Sequence, residues 1–215
     1  MARTILIDGR SGAGKTTFAG LVGEATGFHV IHLDEFYPGW GGLIEGARMV
    51  ENCILQTDDP GYFRWDWGKE RPGEWVSVDP KADLVIEGVG SITTGNVRAA
   101  RERYAESKEG KLSQAEGLGC LTVWVEVPDG LRRQRALARD PGFVDFWEMW
   151  ARQEECFEQS FERKEELKQC NMRVQSAGIG FQDNAKILRS ALQDCVEWVQ
   201  CGVKGAAPGY KQDYS

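Results

Sequence analysis

The octapeptide Gly9-Arg10-Ser11-Gly12-Ala13-Gly14-Lys15-Thr16 satisfies the pattern G-x-x-x-x-G-K-[ST], and such a loop works only where a strand delivers it and a helix receives it. Both neighbours are present. Thr4 to Asp8 (TILID) is a short β-rich run, and from Lys15 onward Phe18, Leu21, Val22 and Ala25 recur at helical spacing. Glycines at 9, 12 and 14 give the backbone conformations that side chains would block. The N–H groups of this loop can then turn inward on an anion at a helix N-terminus.

The anion that fits is a phosphate chain. Candidate contacts are Gly9, Ser11, Gly12, Ala13, Gly14, Lys15, Thr16 and Thr17, with Lys15 a point charge for the outer phosphates and the Thr16 hydroxyl placed to ligate Mg²⁺. The alternative is a glycine-rich turn matching by chance, which the flanking strand and helix weigh against. A guanine-specific protein would add an N-K-x-D motif, and the nearest string, Tyr210-Lys211-Gln212-Asp213, lacks the asparagine. Asp58 to Gly61 fits D-x-x-G, but no apolar strand precedes it, so it reads as a turn.

Beyond the loop, strand and helix signals alternate. His29 to Leu33 is a second strand; Leu43, Ala47, Val50 and Ile54 make one helical stripe; Gly61 to Pro80 reads as irregular and tryptophan-rich. Leu84 to Glu87 (LVIE) and Leu121 to Val127 (LTVWVEV) are continuous apolar runs of the kind buried on both faces of a parallel sheet, with a helix near Val97 to Ala105 between them. Residues 106–119 read as an exposed connection. Leu131 to Asp140 is a basic helix, and Phe143, Trp147, Trp150, Phe157 and Phe161 predict one long amphipathic helix with an acidic, solvated outer face. Met172 to Val174 is a weak strand, and Ala185 to Val199 a closing helix. An α/β fold with a mainly parallel, about five-stranded sheet follows, with ligands beyond the carboxyl ends of the strands. Its expected extent is a single domain over 1–201 with a lid near 129–165 and a loose tail over 202–215.

Composition narrows the partners. Lys and Arg number 26 against 33 Asp and Glu, a formal charge of −7, so a phosphate-rich polymer is a poor partner and an anion must be held locally. No run approaches the roughly 18 apolar residues of a membrane span. Six cysteines lack any C-x-x-C pair, the two histidines His29 and His32 make no metal site and read as structural, and no export signal opens the chain. A reduced, cytoplasmic protein is expected, with no sign of an obligate oligomer.

Asp34, Phe36 and Tyr37 follow the second strand, Glu87 and Gly88 end a later one, and Leu131 to Asp140 (LRRQRALARD) places Arg132, Arg135 and Arg139 at i, i+3 and i+7 on one helical face. With the phosphate loop these segments, in this order, resemble the P-loop kinases of the uridine kinase type, with their D-x-F-Y segment, EG strand end and arginine-bearing lid. The resemblance spans about residues 4 to 140. It implies a nucleoside/nucleotide-kinase-like P-loop NTPase, a three-layer sandwich with a helical lid, that uses ATP and Mg²⁺. It implies further that Asp34 is the base at the acceptor hydroxyl and that the lid arginines neutralise charge on the transferring group, guanidinium being suited to phosphate oxygens. For each residue a plainer role stands beside this one: a strand-end turn or cap for Asp34, a strand terminus for Glu87, a solvated charged face for the arginines. The family has a second arginine where Ala136 stands.

The acceptor region departs from that family. Tyr62-Phe63-Arg64-Trp65-Asp66-Trp67 replaces its nucleoside-reading segment. Tyr37, Trp40, Arg64 and Asp66, with Asp34 and Glu87, are the candidate acceptor contacts; Glu87 is also a candidate Mg²⁺ ligand, and the tryptophans alternatively plug the core. The expected activity is transfer of the γ-phosphoryl of ATP to a small-molecule hydroxyl, a nucleoside first. A nucleoside monophosphate, pantothenate or a sugar acid would use the same parts. An ATP-binding regulatory protein without an acceptor is the rival from another class.

Overall fold

The computed structural model describes residues 2–107, 119–175 and 181–201. In chain order the elements are β1 (Thr4–Asp8), α1 (Lys15–Thr26), β2 (His29–His32), α2 (Leu43–Met49), β3 (Gly61–Asp66), β4 (Arg71–Ser77), β5 (Leu84–Glu87) and α3 (Thr94–Glu106). Then come β6 (Cys120–Glu126), α4 (Asp129–Arg139), α5 (Trp147–Glu158), α6 (Phe161–Lys168), β7 (Met172–Gln175) and α7 (Phe181–Cys201). Five strands lie side by side in the order β2-β5-β1-β6-β7, every pairing parallel.

The apolar runs explain that order. All five residues of β1 are buried, as are all four of β5, which a parallel sheet covered on both faces requires. The two-residue period divides them between layers: Ile5, Ile7, Val85 and Val123 pack with Phe18 and Val22 of α1 and Cys195 and Trp198 of α7, whereas Leu6 and Ile86 pack with Leu33, Leu43, Val97 and Ala100. The sandwich therefore has helices on both sides. Its strands β1, β2 and β5 all point their carboxyl ends at the phosphate loop, the edge where an open α/β sheet binds ligands.

Two segments differ from the sequence expectation. Gly61 to Ser77 is an antiparallel hairpin of β3 and β4, not an irregular stretch. A register shift between Phe63 and Trp65 spoils the alternation, and Pro72 and Gly73 inside β4 mimic breakers. The turn is built locally, since Asp66 Oδ1 accepts from Gly68 N–H at 3.1 Å and Lys69 N–H at 3.0 Å. The expected long amphipathic helix is three pieces: a 3₁₀ turn at Pro141–Asp145, then α5, then α6 beyond an extended Ser160. Its acidic face is not uniformly solvated either, because Glu154 is buried.

Among the described residues no helix is long and apolar enough to cross a membrane. Cys53, Cys120, Cys156, Cys170 and Cys195 are free thiols. The expected connection over 106–119 falls largely outside the described residues, and the 202–215 tail wholly so.

Candidate active site

The phosphate loop turns between the end of β1 and the start of α1 because its glycines accept what other residues resist. Gly12 and Gly14 have φ of +80° and +98°, in the region that favours glycine. At Gly12 space is lacking as well, since an added Cβ would sit on the Arg132 carbonyl oxygen. α1 begins at Gly14 with no side-chain cap, leaving its first-turn N–H groups facing the loop's concavity. Lys15 is 8% exposed, and its Nζ donates to the Arg10 carbonyl at 3.2 Å. No carboxylate pairs with it among the described ion pairs. A buried ammonium with no carboxylate in direct contact suits an anionic ligand.

A cleft of about 190 Å³ opens above this loop. Ser11, Gly12 and Gly14 to Thr17 form its floor, Asp34 and Glu87 one wall, and Arg135, Ala136 and Arg139 the other. The walls come from the ends of β2 and β5 and from α4. Gly9 and Ala13, also expected at the phosphates, do not line the cleft: Gly9 has room for no Cβ beneath the Val125 carbonyl, and Ala13 is buried in the core.

Asp34 sits in a single 3₁₀ turn, Leu33–Glu35, directly after β2. Protein surrounds it on most sides, yet its carboxylate reaches solvent through the cleft. Desolvation in the cleft pushes its pKa above the ordinary carboxylate value, Glu87 adds to this, and Lys15, Arg139 and His32 oppose it. Glu87 is 2% exposed and lies beside His32, with Nδ1 to Oε1 at 2.7 Å. That bond raises the pKa of His32 against the opposing effect of burial. His32 does not itself line the cleft, but this bond ties it to Glu87, which does. The clue was the parallel register, which sets His32 beside Glu87.

The three arginines expected on a lid divide. Arg135 and Arg139 line the cleft. Arg132 does not: it is 5% exposed, with Nε on Asp129 Oδ1 at 2.6 Å and Nη1 on Glu154 Oε2 at 3.1 Å. The remaining acceptor candidates also have other partners. Tyr37 is buried and donates its hydroxyl to the Val89 carbonyl at 2.7 Å. Trp40 stacks on Phe146 at 4.2 Å and Phe143 at 5.3 Å between ring centroids. Arg64 pairs with Glu74 across the hairpin and with Glu35 of the 3₁₀ turn, and Asp66 holds the hairpin turn. What reaches Asp34 from the hairpin is Trp67, whose indole N–H points at the Asp34 carbonyl at 3.4 Å and whose ring is 40% exposed.

Beneath the loop Asp8, fully buried, accepts from Arg163 Nη1 and Nη2 at 2.8 and 2.9 Å, and from the N–H groups of Gly9 at 2.6 Å and Ile92 at 2.8 Å. Arg163 is equally buried, lies 4.7 Å over the Phe157 ring and donates to the Ile92 carbonyl. Neither Asp8 nor Arg163 belongs to any sequence motif.

Among the described residues no group of three or more His, Cys, Asp and Glu side chains could hold a metal by itself. Mg²⁺ binding of the kind that uses one or two protein oxygens plus substrate phosphates remains compatible with Thr16 and Glu87, which face the same cleft.

No family model and no curated protein sequence matches the chain. Among solved structures it is similar to shikimate kinase from Acinetobacter baumannii in complex with shikimate, with a TM-score of 0.51 at 17% identity over 95% of this chain and 97% of that one. It is similar also to a gluconokinase from Sinorhizobium meliloti 1021 (TM-score 0.47, 12% identity, 91% and 94% covered). A possible uridine kinase from Bacillus stearothermophilus is a more partial match (TM-score 0.38, 16% identity, 74% and 86% covered). The likeness to the shikimate kinase, with the parallel sheet, shows the fold: a mainly parallel α/β sandwich arranged as in that kinase.

Proposed function

We propose that the chain is an ATP-dependent kinase that transfers the γ-phosphoryl group to a hydroxyl of a small molecule. One observation carries this: a single cleft brings together a buried lysine with no salt-bridge partner, an uncapped helix N-terminus, two lid arginines and, on the opposite wall, an aspartate with a raised pKa. Phosphoryl transfer asks mainly for positioning and charge stabilisation. The cleft is smaller than the roughly 300–1,000 Å³ of small-molecule pockets, so it takes the phosphates, with base and ribose at its rim.

In this reading the loop N–H groups and Lys15 hold the β and γ phosphates. Thr16 and Glu87 would hold Mg²⁺, which supplies charge neutralisation between those phosphates. Arg135 and Arg139 offset charge on the group in flight. Asp34 takes the proton of the acceptor hydroxyl as that oxygen bonds to the γ phosphorus and the bond to the bridging oxygen breaks, leaving ADP. Burial makes Asp34 a stronger base than an exposed carboxylate.

A nucleoside leads the acceptors by the resemblance of the motifs, supported by the exposed Trp67 ring beside Asp34. The rival reading, an ATP-binding protein with no acceptor, draws on the packing of Trp40 into the Phe143 and Phe146 stack, which removes one expected acceptor contact. A panel assay decides: ADP production with Mg²⁺-ATP against nucleosides, nucleoside monophosphates, pantothenate, gluconate and shikimate. Acceptor-dependent turnover with one class is expected. Binding of ATP without such turnover across the panel would favour the regulatory protein.

A further inference from the structure

Trp150, Glu154 and Glu158 stand at i, i+4 and i+8 on α5, and this stripe lies on the phosphate loop. Glu158 takes the Arg10 guanidinium in two bonds of 2.8 and 3.0 Å. Glu154, whose side chain is fully buried, accepts through Oε1 from the Ser11 N–H at 2.7 Å and the Trp150 indole N–H at 3.1 Å, and through Oε2 from Arg132 at 3.1 Å. The indole N–H also reaches Ser11 Oγ at 2.9 Å. From the other side, the Arg132 main chain presses on Gly12 and its guanidinium lies 5.0 Å from the Trp147 ring centre.

A carboxylate buried beside a polyanion site is electrostatically costly. Its retention calls for a task, and all its bonds end on the phosphate loop, on the lid helix or on α5 itself. Arg132, with both its edges engaged, is a fixed end of α4, while Arg135 and Arg139 further along the same helix are directed into the cleft.

We propose that Glu154 is a positioning residue that latches the phosphate loop to the lid helix, holding Ser11 and Gly12 against Arg132 so that Arg135 and Arg139 meet the terminal phosphate of a bound nucleotide. The latch rests on the ATP reading above. It acts on geometry; Glu154 touches no reacting atom. Because the lid arginines meet the terminal phosphate, loss of the latch weakens ATP more than ADP, whereas general damage to the fold weakens both alike.

The test measures Mg²⁺-ATP and Mg²⁺-ADP affinity by calorimetry, and melting temperature, for the native chain, Glu154→Gln, Arg132→Met and the double variant. Glu154→Gln keeps an oxygen for Ser11 but can turn an NH₂ toward the guanidinium. The double variant leaves no buried charge unpaired, an exchange that cores often tolerate, so it decides the matter if a single variant fails to fold. Each folded variant should lose about tenfold in ATP affinity, the loss of one hydrogen bond to a charged group, with a smaller loss for ADP. The double should lose less than the product of the two single effects. Unchanged affinity in the folded double, equal losses for ATP and ADP, or fully multiplicative losses would overturn the latch alone. A native chain that binds no ATP overturns the kinase reading and the latch with it.

Discussion

Asp34 illustrates how much a side chain's role depends on neighbours drawn from distant parts of the chain. Burial and Glu87 disfavour its ionised form, and the cations Lys15, on the floor of the cleft, and Arg139, on the opposite wall, favour it. Replacing it with Asn should lower turnover by about 10²–10⁴-fold, the usual contribution of a general base, while calorimetry finds ATP affinity within about twofold of native on the same grounds. Equal turnover in the variant would remove Asp34 from the chemistry. Lys15→Ala should instead weaken ATP binding by about tenfold or more, since it deletes a charge-assisted contact; a calorimetric titration reads this directly. At this scale Lys15 and Thr16 were legible because their octapeptide is contiguous. Spacing placed Arg132, Arg135 and Arg139 on one face, and the first differs only because α5 lies over the beginning of α4. Glu154 was beyond reach, since its Ser11 partner lies 143 residues away.

Elements were legible where burial on both faces wrote a continuous apolar run, as in β1, β5 and β6, and less so where local chemistry broke the pattern. The β3–β4 hairpin hides behind a register shift and an internal Pro72-Gly73, although Asp66 and Gly68 signal its turn. α6 carries one prediction of its own, because its Arg163 is the sole side-chain cation on Asp8 among the described ion pairs. Arg163→Met leaves the Asp8 charge buried with only backbone donors and should cost about 3–5 kcal/mol in denaturant unfolding, as breaking a buried pair does. A loss under about 1 kcal/mol would show that backbone N–H groups alone satisfy Asp8.

At the scale of the whole molecule, an acidic chain of formal charge −7 concentrates Lys15, Arg135 and Arg139 around one cleft. Binding there should stabilise the fold by mass action: Mg²⁺-ATP at a hundred times its dissociation constant adds about 2.7 kcal/mol. Thermal melts should therefore rise with Mg²⁺-ATP and stay unchanged with duplex DNA, a polyanion that a chain of net negative charge is expected to repel. A comparable rise with DNA would contradict the reading of charge as local.

The Asp8 and Arg163 pair joins positions 155 residues apart, directly under the phosphate loop. On the ribosome the glycine loop therefore leaves the exit tunnel long before the residue that neutralises the acid beneath it. The octapeptide emerges before α6, and the buried cation beneath it arrives only with α6. A chain halted between α4 and α6 would carry every residue of the phosphate-loop motif and still lack Arg163, the buried cation on Asp8 beneath that loop.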